Sequence, residues 1–318
     1  MTYLWRSLER SYNMRKFWGL TKRNLLVFFK DKTMIFFSML TPLIIFILYL
    51  LFLRGTYIDV LESSAELLMN AGLVNMDDLG AMANGLLLTG IMGSALITIP
   101  YNCLITLVND RAAGIDVDVT ATPVSRLQII LSYFAASAIS AVLMTSVILG
   151  AGLVVLQFTN PTYLTAKSIL TLFAILVIGA ISATAVFMTL MLFLKSSSAS
   201  GAFLGILSAG CGFVIGAYMP IASFSTAIQN FCHLFPATGI TILIRRYLLS
   251  DLLTHVDANI GGIDQGMFVS SIQDYFSFQP KLFGHVLSLQ EALLYVMMVT
   301  VGFLVAIGII YPRIYKRK

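Results

Sequence analysis

The sequence predicts an all-α integral membrane protein. It has six transmembrane helices, an N-terminal interfacial amphipathic helix, and outer re-entrant helices between the fifth and sixth spans. Three observations predict this. Hydrophobic residues make up 58% of 318 positions and charged residues only 11%, against about 25% charged in a soluble globule. The mean hydropathy is +0.89, so the surplus apolar surface needs lipid as its solvent. Six charge-free apolar runs each approach or exceed the ~20 residues that carry a helix across a bilayer core. Transmembrane strands are excluded, because they are about 10 residues long and alternate polar with apolar.

Residues 1–33 read as a cytoplasmic N-terminus and connecting helix. On a helical wheel Met14, Phe17, Trp18, Thr21, Leu25, Phe28 and Phe29 share one arc, and Arg15, Lys16, Lys22, Arg23 and Lys30 fill the next. Aromatic groups at the acyl boundary and basic groups at anionic headgroups describe a helix lying in the interface.

The domain from 34 to 312 carries the spans, at about 34–53, 86–108, 127–156, 169–194, 202–219 and 292–310. The third is long enough to tilt or to extend past the membrane. The first two are separated by an outer segment, Arg54–Gly85, with a short helix over Ile58–Met69. Asn109–Arg126 is a polar inner loop, Phe158–Lys167 an outer turn around Asn160-Pro161, and Lys195–Ser200 an inner turn. Residues 220–291 form the longest outer segment. Its first part, Ile221–Tyr247, is interrupted by Pro236 and reads as helices that dip into the outer leaflet and return, as irregular backbone does where protein covers it. Residues 313–318 are a basic tail.

Lys and Arg set the orientation. With the N-terminus inside, inner segments hold 15 of the 20 basic residues, and only Arg54, Lys167, Arg245, Arg246 and Lys281 lie outside; the 15 acidic residues divide 5 inside and 10 outside. Both termini are therefore expected in the cytoplasm, with the chain multi-pass in the plasma membrane of a bacterial cell. No cleavable signal peptide is visible. Cys103 and Cys211 lie within spans and Cys232 alone outside, which draws no disulfide framework.

The fifth span holds two G-x-x-x-G pairs, Gly201/Gly205 and Gly212/Gly216. Small residues at this spacing let helix backbones approach closely, within one bundle or against a second subunit.

Several chemistries are absent. There is no P-loop, no H-E-x-x-H and no nucleophile elbow. His233, His255 and His285 are scattered without ligand spacing, so no metal site is drawn. The spans hold no charged residue or His, which argues against an ion-coupled carrier and a charged-ring channel. A path lined by Ser, Thr, Asn102 and Tyr suits amphiphilic or apolar cargo, and uphill movement needs energy from a partner.

The inner loop reads D-R-x-x-G-I-x-x-D-x-x-x-T-P-V-S-R. This resembles the loop between the second and third spans of type-2 ABC exporter permeases, which forms a short coupling helix on the ATPase subunit. Asp110-Arg111, Gly114, Asp118 and Thr122-Pro123-Val124-Ser125-Arg126 carry the match. Ala112 stands where an acidic residue is common, and Ile115 where Thr is common in one branch. The basic segment before the first span resembles the family's connecting helix. "GAYMPI", with Gly216, Tyr218 and Pro220, is similar to the end of the fifth span in drug-exporter-like members, and Pro236 followed by Arg245 resembles the spacing of their outer helices.

The resemblance implies a membrane subunit without its own ATPase site that moves a drug, peptide or lipid-like cargo outward. Asp110, Arg111, Gly114, Asp116, Asp118, Pro123 and Arg126 would couple it to two copies of a separate ATP-binding subunit carrying ATP and Mg²⁺. A second permease subunit, identical or related, would complete the path, lined by the first, second and fifth spans. The bilayer is the other partner, and no nucleic acid is expected. Alternatives are a polysaccharide or glycolipid exporter and a channel or scaffold that uses no ATP.

Overall fold

A computed structural model describes residues 2–159 and 163–314, with side chains from residue 14 to 313. The Asn160-Pro161 turn and the tail beyond residue 314 lie outside the described residues. The described residues are mostly helical, and the strands among them are the two short ones of a β-hairpin (β1 Lys281–Leu282, β2 His285–Val286). Among the described residues six helical segments are long and apolar enough to cross a membrane. The all-α membrane architecture is thus the observed one.

α1 (Thr2–Lys30) and α2 (Lys32–Leu48) meet at Asp31. Asp31 is extended, and its carboxylate accepts from the backbone N–H groups of Thr33 and Met34 at 2.9 and 3.1 Å, a helix N-cap. α2 passes through a π-helical turn, Tyr49–Leu53, directly into α3 (Arg54–Asn70). The short helix expected over Ile58–Met69 is therefore present, as part of a longer one, and little of the outer segment Arg54–Gly85 is loop. Tyr57, Leu61 and Ala65 recur every fourth residue and are buried, while Asp59, Glu62 and Glu66 avoid that face. This amphipathic pattern lets the first span continue as one 39-residue helical rod, about 58 Å long at 1.5 Å per residue.

α4 (Met76–Ala112) is the axis of the fold. Nearly all of it is buried, with α2, α6 (Arg126–Thr159), α7 (Ala166–Met191), α8 (Ser197–Val214) and α10 (Pro236–Ile260) packed around it. A Cβ on Gly93 would collide with Ile215, beyond the end of α8, and with Thr241 of α10; only Gly brings both that close. Pro42 deprives the Ser38 carbonyl of its helical donor. Thr98 of α4 supplies the replacement, donating to that carbonyl at 3.3 Å.

α8 ends earlier than the sequence suggests. Gly216 takes φ +72°, and the N–H groups of Ala217 and Tyr218 turn back to the Gly212 carbonyl, the glycine-terminated helix end. The next helices, α9 (Thr226–Leu234) and α10, meet at 91° around Phe235-Pro236. α10 is a 25-residue helix deep in the bundle, where Ile240, Leu243 and Ile244 are buried against α4 and α7. The sequence reads this stretch as helices interrupted at Pro236, and the bend falls there; what composition hides is that α10 beyond the bend is one continuous buried helix. Pro236 sits in the first turn of α10, where its missing N–H costs nothing. α11 (Met267–Tyr275) caps the end where α3 and α10 emerge, and α12 (Leu289–Ile314) closes the bundle. A short helix, α5 (Ile115–Ala121), lies at the opposite end, called here the loop end.

Candidate functional site

The α4–α6 connection is built from local signals. α4 runs on through Asp110 and Arg111 to Ala112, further than the predicted span. Gly114 then takes φ +74°, a conformation that favours glycine, and reverses the chain into α5. Asp116 and Asp118 occupy the first turn of α5, where carboxylates suit the helix dipole. Thr122 is extended, as a residue before proline must be, and Pro123 lies in the linker, not in the first turn of α6. α6 opens with a capping box. The Ser125 hydroxyl accepts from Gln128 N–H at 3.3 Å, and the Gln128 side chain accepts from Ser125 N–H at 3.1 Å.

α5 has two faces. Val119, with Val124 beyond it, packs against the core containing Leu107, Ile129, Tyr133 and Tyr311. Val117, 65% exposed, with Asp118 and Ile115, points away from the protein. Arg126 begins α6 and is half-buried.

Asp110 organises the joint. It is 5% exposed. One carboxylate oxygen accepts from Arg23 Nη2 at 3.0 Å, and the other accepts from Arg23 Nη1 and from the Tyr133 hydroxyl. Two parallel bonds from one guanidinium are the strongest geometry such a pair has. The bonds to Asp110 hold the Arg23 guanidinium above its ordinary pKa. Arg23 Nη1 also donates to Asn24 Oδ1, and Asn24 Nδ2 donates to Ser132 Oγ of α6. Seven residues earlier, Lys16 Nζ donates to the Pro123 carbonyl at 2.7 Å. α1 therefore grips the loop on both sides of α5.

A second set of bonds ties the loop to the α7–α8 turn. Arg111 Nη1 donates to the Met191 carbonyl at 3.2 Å, at the end of α7, where a cation suits the dipole. Ser197 Oγ donates to Asn109 Oδ1 at 2.8 Å.

This geometry refines the reading of α1. The aromatic arc of α1 does not face lipid as a unit: Thr21 and Phe28 are buried against the bundle, while Met14, Trp18 and Phe29 stay exposed. Arg23, a third exposed, is held in an ion pair with the loop. Of the other α1 residues, Arg15 and Lys22 are exposed, and Phe17 is half-buried. Sequence reasoning missed Tyr133, Asn24 and Ser132. Asn24 was the available signal, a polar residue on the same helical face as Thr21 and Phe28.

The predicted packing glycines separate. Gly201 and Gly205 have nothing within 4 Å of where a Cβ would stand, whereas the Tyr218 ring lies directly over Gly212. Gly216 is the α8 cap, and Pro220 is buried. An apolar cavity of about 170 Å³ lies between α7, α8 and the α9–α10 bend, bounded by Phe187, Phe203, Phe231 and Phe235.

Against known proteins, a family model described as ABC-2 family transporter protein matches residues 76–312, from the start of α4 to near the end of α12. No curated protein and no solved structure matches the chain. The matched span covers α4, the loop, and the helices from α6 to near the end of α12, and the chain belongs to the ABC-2 transporter family as one of its multi-pass membrane permeases.

Proposed function

We propose that this permease is the transmembrane subunit of an ATP-driven exporter. In this reading it moves a drug-, peptide- or lipid-like amphiphile out of the cytoplasm or inner leaflet. α5 docks on a separate ATP-binding subunit, present in two copies, which carries the ATP and Mg²⁺. The observation that carries the reading is the pairing of an outward face with a rigid mounting. Ile115, Val117 and Asp118 are presented outward, while Asp110, Arg111 and the Pro123 carbonyl bind α1, α6 and α7. A push on α5 is then delivered to three helices at once, as rocking of rigid halves requires.

The uncovered Gly201/Gly205 face of α8 supports a second permease subunit packing there. The Gly216–Ile221 turn, with Tyr218 folded over Gly212, supports the drug-exporter branch. The test is reconstitution in proteoliposomes with the cognate ATPase. Cargo-stimulated ATP hydrolysis with ATP-dependent efflux of a fluorescent amphiphile is expected. Neither signal, from a complex shown to be assembled, would sink the proposal.

A further inference from the structure

α4 is buried on every side except along one stripe. Gly80, Asn84, Leu87 and Ile91, spaced four, three and four residues apart, are only half-buried in a helix whose other residues there are covered. Asn84, Leu87 and Ile91 of this stripe are the floor of a groove between α2 and α6. Phe46 and Leu50 form one wall and Val155 and Thr159 the other, enclosing about 300 Å³. At the loop end the cleft between α2 and α6 is filled by α1, which packs on both helices and inserts Phe28 into the core beside them. α1 stops at Lys30, and beyond it the cleft stays open.

The lining says what fits. It is aliphatic and aromatic, with no charged side chain, and its polar groups, Asn84 and Thr159, sit together at the end away from the loop. The Tyr49 hydroxyl donates to Asn84 Oδ1 at 3.4 Å there. From Ile91 to Asn84 the floor is about 10 Å long. That length is under two turns of a helix, too short to seat one lengthwise. A chain one methylene wide, with a hydrogen-bonding but uncharged or zwitterionic head, has the matching shape and polarity. Leu50 belongs to the π-helical turn Tyr49–Leu53, and such turns recur at functional sites. Gly152 lies directly against the Leu88 side chain, which a Cβ there would displace within the groove.

We propose that the α2–α4–α6 groove is a binding site for one acyl chain of a bilayer lipid, its head at Asn84 and Thr159. The site stands apart from the ATPase coupling and is tested without it.

The chain has two tryptophans, Trp5 and Trp18. Replacing both with Phe and adding Phe46→Trp places a single reporter in the groove. Leu143→Trp, on an exposed part of α6, gives a bilayer-facing control. Each is reconstituted in phosphatidylcholine vesicles and titrated with lysophosphatidylcholine brominated on its acyl chain, a short-range quencher. Saturable quenching of Phe46→Trp above the control is expected, and it should be lost when Ile91→Phe and Val155→Phe fill the groove. Thr159→Phe, at the exposed rim, serves the same purpose if the double variant fails to fold. Equal, non-saturating quenching at both reporters would overturn the proposal, as would quenching indifferent to filling. An unquenched reporter whose emission shifts with protein concentration would assign the groove to a second copy and also overturn it.

Discussion

Arg23 and Asp110 stand 87 residues apart in sequence and hold each other through two hydrogen bonds of one guanidinium to one carboxylate. The pair joins a helix outside the spans to the last turn of the central one. Exposure of the two side chains is unequal, 33% for Arg23 and 7% for Asp110. Each therefore depends on the other to a different degree.

That inequality predicts an order of effects. Arg23→Met leaves a buried carboxylate with only the Tyr133 hydroxyl, and it should cost about 3 kcal/mol. Asp110→Asn keeps an acceptor and leaves an arginine that water reaches, so its cost should be nearer ~1–2 kcal/mol. Combined, the two should cost less than their sum, because they remove one interaction. Thermal unfolding in mild detergent measures all three. Equal losses from the two single variants, or strict additivity, would mean the ion pair does not hold α1 to α4.

Asp118 and Arg111 should fail in opposite ways, although the sequence groups them as coupling residues. Asp118 is exposed on α5, and Arg111 points into the α7 terminus. Asp118→Asn and Val117→Ser should shift stability by less than about 0.5 kcal/mol, as surface changes do, yet weaken capture of the ATPase subunit. Arg111→Met should lower the melting temperature first. Native mass spectrometry beside thermal melts separates the two. Unchanged ATPase capture by both α5 variants would remove that face from docking.

Much of the fold was legible because lipid imposes long apolar runs, and no other feature writes so plainly into sequence. The loop was legible for a different reason. Gly114, Thr122-Pro123 and Ser125 are backbone signals, each tied to a conformation that few other residues accept. What stayed hidden was long-range. Tyr133 lies in an apolar run like any aromatic residue, and only the crossing of α6 over α4 brings it to Asp110. α3 was legible only in part: the short helix over Ile58–Met69 was readable, but not its unbroken run from the first span, whose Tyr57, Leu61 and Ala65 bury a stripe that α4, α10 and α11 complete. α10 was obscured by composition, since buried Thr238, Thr241 and Arg245 lowered its apolar signal.

Gly114 gives a purely backbone prediction. At φ +74° a Cβ is strained whatever space surrounds it, and none of the neighbours crowds this site. Gly114→Ala should cost about 1 kcal/mol, and Gly114→Asn less, since Asn tolerates the left-handed region. Both leave the Arg23–Asp110 pair untouched. Protease sensitivity across residues 113–125 should therefore rise more for Ala than for Asn. The same sensitivity for both would show that the turn does not limit loop order.

Arg245 tests how the far end is held. It is buried, and among the described residues its hydrogen-bond partners include no carboxylate. Nη1 donates to the Phe276 and Ser277 carbonyls, and Nε reaches Thr89 Oγ1 at 3.5 Å. Two opposed costs meet here. Keeping a cation out of water is expensive. Removing it strands two carbonyls, at about 1–3 kcal/mol each if they stay buried. The carbonyls belong to the short segment between α11 and β1, which can loosen, so the loss should be local. Arg245→Met should open residues 261–288 to limited proteolysis while the melting of the bundle changes little. Arg245→Lys should fall between, because one ammonium replaces a fork that spans both carbonyls. Greater protease resistance in Arg245→Met would reverse the balance and show that burying the cation outweighs the contacts it makes.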